Sequence, residues 1–319
     1  MILEPGIYTD ITDEQYHADP CPTPSLLRSV LVTLLERSPS HAWLQHPRLN
    51  PAYEPVNKTD FDLGKAAHAL LLQGDDVVTI IEADNYRTKS AQVARDEARA
   101  LGKVPLLPTQ AAEVRAMVRA ARAQLQRHPD GKNAFTGTPE TTLIAQDAEF
   151  GFWCRVRCDD FKAGAITVYD YKTTTDASPD AWPRRAFEHN LHIQEAFYAR
   201  IIRQLTGTLP RFQFVVQEVK PPYALAIYDF EPAARQLADT RVREGMRRWH
   251  YCLTNDHWGG YTARVHTIET PPWILNRHES EKLRDEIIQA ETDKSLFAAA
   301  LEFQAPHADS SNKCTGEKE

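Results

Sequence analysis

No apolar run in the 319 residues approaches the roughly 18–20 needed to cross a membrane. The opening stretch, MILEPGIYTDITDEQYH, has neither a basic n-region nor an apolar h-region, so no signal peptide is expected. Cysteine is scarce. Cys154 and Cys158 lie four apart in one expected strand, and Cys21, Cys252 and Cys314 are isolated. Without a C-x-x-C pair, zinc ribbons and thioredoxin chemistry are not expected, and the reading is reduced thiols in a cytoplasmic chain. No internal repeat, long low-complexity stretch or G-x-x-x-x-G-K-[ST] loop occurs, so no ATP-driven machine is expected. Positive charge is also short: 37 Lys and Arg face 44 Asp and Glu, a net −7. That argues against a basic coat over the whole surface, though not against a local basic groove.

What is present reads as globular. Apolar residues make up 42% and charged residues 25%, which excludes collagen-like, coiled-coil and wholly disordered chains. A chain this long buries about 75% of its unfolded surface and needs no disulfide or structural metal to fold. Residues 1–60 carry many prolines and short helical pieces. They include a helix from Ser25 to Leu35 that Ser25 would cap, and a helical turn in SPSHAWLQHPRLNP. Phe61–Leu72 reads as a buried helix, and residues 89–127 as two amphipathic helices around a Gly/Pro break. The period then changes to two. Thr141–Gln146, Phe150–Asp159 and Ala165–Lys172 read as strands, the first two joined by a turn at 147–149. A helix over Phe187–Leu205, strands at Arg211–Val219 and Ala224–Phe230, and a helix over 231–252 follow. Residues 306–319 are polar and read as a mobile tail.

The chemistry concentrates in Arg155-Val156-Arg157-Cys158-Asp159 and Val168-Tyr169-Asp170-Tyr171-Lys172. Asp170 and Lys172 are two apart on a strand, so they share a face, and Tyr169 and Tyr171 point the other way. Asp159 ends the preceding strand and sits beside Asp170 if the two pair as a hairpin. Two carboxylates meeting at a sheet end can bind Mg²⁺ through oxygen. A lysine beside them can orient a water and stabilise charge developing on a phosphate, which makes a metal-assisted hydrolysis site. The alternative is a surface Asp–Lys ion pair contributing about 0–1 kcal/mol.

The pattern D-x10-D-x-K after a hairpin resembles the PD-(D/E)XK nuclease superfamily. Two more elements resemble its recombination-nuclease branch. Gly64-Lys65-Ala66-Ala67-His68 is similar to that branch's helix G-x-x-x-H, and Gln194-Glu195-Ala196-Phe197-Tyr198 to its Q-x-x-x-Y. SPSHAWLQHPRLNP, NYRTKSAQVARDEA, CRVRCDDF and DYKTT also resemble phage and prophage RecE-type (exodeoxyribonuclease VIII) domains, over about residues 20–275. The resemblance implies an α/β fold with a restriction-endonuclease-like core, a mixed central sheet flanked by helices, and helical N-terminal additions. It implies one domain over 1–305, with a helical elaboration at 1–60, the nuclease core at 61–255 and a C-terminal elaboration at 256–305. Asp159, Asp170, His68 and the backbone carbonyl of Tyr171 would ligate Mg²⁺ or Mn²⁺. Lys172 would position the attacking water, and Gln194 and Tyr198 would hold the DNA backbone or brace the site. Asp160 stands where the family usually has a bulky residue. Asp159 is favoured as the ligand by its spacing to Asp170. Some branch members carry an iron–sulfur cluster held by one upstream cysteine and a C-terminal trio. Cys252 and Cys314 stand alone, so no cluster is expected.

The implied activity is Mg²⁺-dependent exonucleolysis of linear double-stranded DNA from the 5′ end, leaving 3′ single strands. The implied partners are DNA ends, further copies of the chain in a ring-shaped trimer or tetramer, and a single-strand annealing recombinase. The implied setting is a phage or prophage gene in a bacterial host. Ser25 and Arg28 are candidates for 5′-phosphate recognition, and Arg87, Lys89, Arg184 and Arg185 for a phosphate track. Arg241, Arg243, Arg247 and Arg248 are further candidates against the alternative of solvated helix faces. Two other functions compete: a structure-specific endonuclease of the same superfamily, and a DNA-end-binding module without catalysis.

Overall fold

Strands form wherever the sequence alternates, and they assemble into one six-stranded mixed sheet. A computed structural model describes residues 1–54, 63–164 and 166–295, with 298 and 300. The expected helix start at Phe61, the expected strand start at Ala165 and the segment 306–319 with Cys314 therefore lie outside the described residues. In chain order the elements are β1 (Gly6–Tyr8), α1 (Asp13–His17), α2 (Arg28–Glu36), α3 (Pro39–Gln45), α4 (Leu63–Gln73), β2 (Val78–Ile80) and α5 (Lys89–Ala100). Next come β3 (Val104–Leu106), α6 (Pro108–Arg127), β4 (Thr138–Gln146), β5 (Trp153–Phe161), β6 (Thr167–Thr174), α7 (Trp182–Glu188) and α8 (Leu191–Thr206). β7 (Arg211–Glu218), β8 (Leu225–Tyr228), α9 (Pro232–Asn255) and α10 (Pro272–Thr292) complete the series.

The large sheet has the order β1-β4-β5-β6-β7-β8. Every neighbouring pair is antiparallel except β6 and β7, which α7 and α8 connect. On one face α2, α8 and α9 pack Leu31, Phe197, Trp249 and their neighbours against Val156, Val168, Phe212 and Phe214. On the other, α4 and α6 pack Leu70, Val114 and Met117 against Tyr169, Tyr171 and Val215. Helices on both faces of a mixed sheet make the restriction-endonuclease-like architecture. β2 and β3 form a separate parallel pair.

The chain divides into two units, residues 1–261 and 262–319. The second contributes α10, on which no residue is buried.

Three elements depart from the sequence reading. The helix expected from Ser25 begins at Arg28, with Leu27 at its N-cap and no side-chain cap. Leu26 instead pairs its backbone with Cys154, with N–H and C=O bonded to Trp153 and Arg155, and this holds the chain extended through Ser25 and Leu26. The break between the two amphipathic helices contains a strand, β3, that pairs with β2. The long helix expected from Phe187 is two: α7 ends at Glu188, and Asn190 in the left-handed region starts α8.

Candidate active site

The candidate site lies where β5 and β6 fork. β4 and β5 pair along most of their length, as do β6 and β7, but β5 and β6 register only at Asp160 and Tyr169. One step further along that antiparallel register puts Asp159 opposite Asp170, and there the strands part. The Tyr171 N–H, which would otherwise bond to β5 backbone, donates to Asp159 Oδ2 at 2.7 Å.

β5 also changes face at this point. Cys158 and Phe161 are three apart yet both join the core under α8, so the period-two alternation slips by one residue between them. Asp159 stands at the slip. That lets it meet α4 from one side of the sheet while lying opposite Asp170. Asp160 points away and accepts the Gly137 N–H at 2.7 Å. A Cβ on Gly137 would lie 2.6 Å from Asp160 Oδ1, so the close approach requires glycine there.

α4 brings His68, whose Nε2 lies 3.1 Å from Asp159 Oδ2. Asp170 is buried on the α8 side, where Gln194 Nε2 donates to its Oδ1 at 2.5 Å. Lys172, on the same face of β6, places Nζ against Asp170 Oδ2. Tyr198 is one helical turn beyond Gln194, packed edge-on against Phe212 in the core below the fork. The ring of Tyr171 turns to the opposite face, 6.0 Å from the His68 ring, and only its backbone belongs to the fork.

One acidic residue here escaped the sequence reading. β4 pairs Pro139 with Asp160 and Thr141 with Cys158, which leaves Glu140 opposite Asp159. Glu140 has φ +50, left-handed backbone inside a strand, and its carboxylate lies 3.7 Å from His68 Nδ1. The sequence alone does not reveal it: a turn at 147–149 would put residue 140 across from residue 156, whereas the connection runs from 147 to 152 and pairs Gln146 with Trp153, which brings residue 140 across from residue 159.

The electrostatics follow from burial and crowding. Burial pushes Asp170 up, Lys172 offsets part of this and the Asp159 charge adds to the rise, so its carboxyl titrates above the ordinary range. Burial and then Asp159 raise Glu140 likewise. Burial pushes Asp159 up too, but His68, Lys172 and the Tyr171 N–H outweigh it, and Asp159 lies below the ordinary value. His68 is pulled down by burial but raised further by Asp159 and Glu140. Three carboxyls thus face one lysine and one histidine, an excess of negative charge. One nitrogen of His68 and one oxygen each of Glu140 and Asp159 lie within 4.8 Å of one another. Imidazole nitrogen and carboxylate oxygen around unbalanced negative charge fit a divalent cation.

The remaining candidates scatter. Ser25 is a correction: it is fully buried, its hydroxyl donates to Asp19 at 2.7 Å, and Arg155 lies against it, so it cannot touch DNA. Arg28, beside it in sequence, reaches the His189 carbonyl at the turn into α8. Arg185 donates to the hydroxyls of Thr174 and Thr175, at the end of the strand that carries Lys172. Arg184 pairs with Glu188 on an exposed turn. Arg87 and Lys89 are exposed at the start of α5. Arg241, Arg243 and Arg248 engage Glu36, Glu149 and Glu244. A cavity of 300 Å³ between α8 and α9, lined by Glu195, Arg235 and Phe230 among others, shares no residue with the fork.

A crystal structure of a protein from Eubacterium rectale, named "putative exonuclease", matches the fold with a TM-score of 0.53. It covers 84% of this chain and 98% of its own at 14% identity, a likeness of fold alone. No curated protein matches in sequence. Residues 29–271, well over half the chain, match the family described as a PDDEXK-like domain of unknown function (DUF3799). The chain belongs to that family and is of the PD-(D/E)XK nuclease type.

Proposed function

We propose that this protein is a metal-dependent exodeoxyribonuclease acting on linear double-stranded DNA. One observation carries the reading. His68, Asp159, Asp170, Lys172 and Gln194 come from α4, β5, β6 and α8, and they converge at the β5–β6 fork.

In this reading Asp159, Asp170, His68 and the Tyr171 carbonyl hold Mg²⁺ or Mn²⁺. A cation there supplies Lewis-acid stabilisation of a phosphoryl oxygen and lowers the pKa of bound water. Lys172 orients the attacking water and keeps positive charge beside the phosphate as negative charge develops. Gln194 holds Asp170 in its rotamer through the bond to Oδ1. Tyr198 braces α8 from the core. Arg185, on α7, donates to Thr174, two residues beyond Lys172 on β6, and is the phosphate contact we favour, with Arg28 near the turn into α8 a second. The RecE-type wording of the sequence adds cleavage from the 5′ end, a closed ring of three or four copies, and hand-over of 3′ strands to an annealing protein.

The test uses 5′-phosphorylated linear duplex and closed circular DNA, each with Mg²⁺, Mn²⁺ or EDTA. The linear duplex should be degraded and the circle spared. EDTA should abolish the activity, and Lys172→Ala should lower it by about 10³ or more. Cutting of the circle would turn the reading to an endonuclease. No cleavage of either, with DNA ends still bound, would make the chain an end-binding module.

A further inference from the structure

We infer that Glu140, His68 and Asp159 form a metal position of their own, so that His68 serves this position rather than the one at Asp170 and the Tyr171 carbonyl, and Asp159 alone is shared between the two, and that its mixed donor set selects Mn²⁺ over Mg²⁺. The inference rests on the metal-dependent reading above and assigns Glu140 a ligand's role in it.

The backbone supplies the first argument. A glutamate in the left-handed region costs about 1–2 kcal/mol relative to ordinary strand backbone. Such strain persists where a residue's side chain must reach one place. Glu140 gains no hydrogen bond in return: among the described residues its carboxylate makes none, and it faces the His68 ring at 3.7 Å with the Asp159 carboxylate close by. The strand is not otherwise distorted. The register is the same on both sides of Glu140, so no residue has been inserted or lost. The ladder is interrupted only at the Glu140–Asp159 step, where both carboxylates turn toward α4.

The donor set supplies the second. His68 lies between the two carboxylates, Nε2 toward Asp159 and Nδ1 toward Glu140. One donor atom from each of the three residues falls inside 4.8 Å. Side-chain exposures of 30%, 28% and 13% leave room for water on the remaining positions. Mg²⁺ takes oxygen ligands and dehydrates reluctantly, whereas imidazole suits first-row transition ions. Two carboxylates with one imidazole therefore favour Mn²⁺. Asp170 is held on the other side of Asp159 by Gln194 and Lys172 and takes no part in this set.

Direct Mn²⁺ titration of the full chain, followed by the electron paramagnetic resonance of free Mn²⁺ with Mg²⁺ as competitor, tests this without any nuclease assay. Wild type should bind Mn²⁺ with Mg²⁺ competing weakly. Glu140→Gln should weaken Mn²⁺ binding by about tenfold or more. Glu140→Gly should do the same while keeping or raising the melting temperature, because glycine accepts φ +50 freely. A glutamine variant that binds Mn²⁺ like wild type, as it would if Glu140 were only a hydrogen-bond partner of His68, overturns the inference. So does Mg²⁺ competing as an equal. Wild type that binds Mn²⁺ as expected but cleaves no DNA leaves this position standing and sinks the nuclease reading instead.

Discussion

Strand β5 carries two charge clusters four residues apart, and they are built on opposite principles. At Arg155 the cluster is closed. The guanidinium donates to the carbonyls of Tyr16 and Ser25 and pairs with Asp19 at 3.1 Å, with both side chains 0% exposed. His46 completes it as a neutral ring, donating from Nε2 to the Ser25 carbonyl and accepting the Arg48 N–H at Nδ1. One cation meets one anion, and only Arg155 Nη2 lacks a partner. At Asp159 the cluster is open. Three carboxyls crowd one lysine and one histidine, and a strained glutamate adds to the excess. A balanced, sealed charge group holds an N-terminal segment onto the sheet. An unbalanced, accessible one is a site that another cation completes. Charge balance and access, more than burial alone, separate structure from function here.

The largest effect should come from opening the closed cluster. Asp19→Ala leaves Arg155 buried without its counter-ion and removes the acceptor for Ser25, a loss of about 3–5 kcal/mol. Urea unfolding should show it as a lower midpoint with an unchanged slope. Asp19 is in the left-handed region with φ +66, so Asp19→Asn is the informative companion: it keeps the turn and should cost less. If alanine costs under 1 kcal/mol, the cluster is not what holds the segment.

The two clusters should also answer pH in opposite directions. Burial drives His46 down to about 4 from the ordinary 6.5. Between those values the unfolded chain binds a proton that the folded chain refuses. The stability involved is complete above pH 6.5 and lost as pH falls toward 4, on the order of 3 kcal/mol. His68, Glu140 and Asp170 are all raised. For them the folded chain keeps protons that the unfolded chain has released, so their stability is present at low pH and lost as pH rises through each folded value. Asp159, lowered, matters only on the acid side, where its contribution disappears. In EDTA, His46→Gln should flatten the acid limb of stability against pH and His68→Gln the alkaline limb. If both substitutions change the same limb, the contrast between the clusters is wrong.

Much of the open cluster was legible because it obeys local rules. Asp170 and Lys172 share a face by period two, and the spacing from Asp159 sets the hairpin register that brings them together. The order of strands and helices is legible in the change of period near residue 140, and the mixed sheet flanked by helices is what the resemblance to the nuclease superfamily implies. What escaped depends on long-range packing. Nothing in the sequence around Ser25 shows that Arg155, 130 residues later, claims its hydroxyl, so the sequence suggests a helix cap where the structure has a buried anchor. β1 and β3 are three residues each and β3 contains Pro105, too short and too broken to alternate. Glu140 follows a proline and breaks the strand pattern, and only the register of its partner strand reveals what it faces.

The smallest expected effect in stability is the sharpest test of what kind of cluster the fork is. Asp170→Asn keeps shape and keeps an oxygen for Gln194 to donate to, but removes one of three crowded charges. The Asp159 repulsion that helps raise the Asp170 pKa disappears with it. Lys172 loses a partner but is 27% exposed and can be solvated. The metal-free variant at pH 8 should therefore be as stable as wild type or more stable, by up to about 1 kcal/mol, whereas most buried charge removals destabilise. Adding Mn²⁺ should reverse the order, since the variant keeps the Glu140 position while the wild type can also fill the position between Asp159 and Asp170. Melting temperatures in EDTA and in Mn²⁺ measure both halves. A metal-free loss above about 2 kcal/mol would mean that Asp170, like Asp19, is held in place by the charges around it, and the fork would then be a second closed cluster rather than an open one.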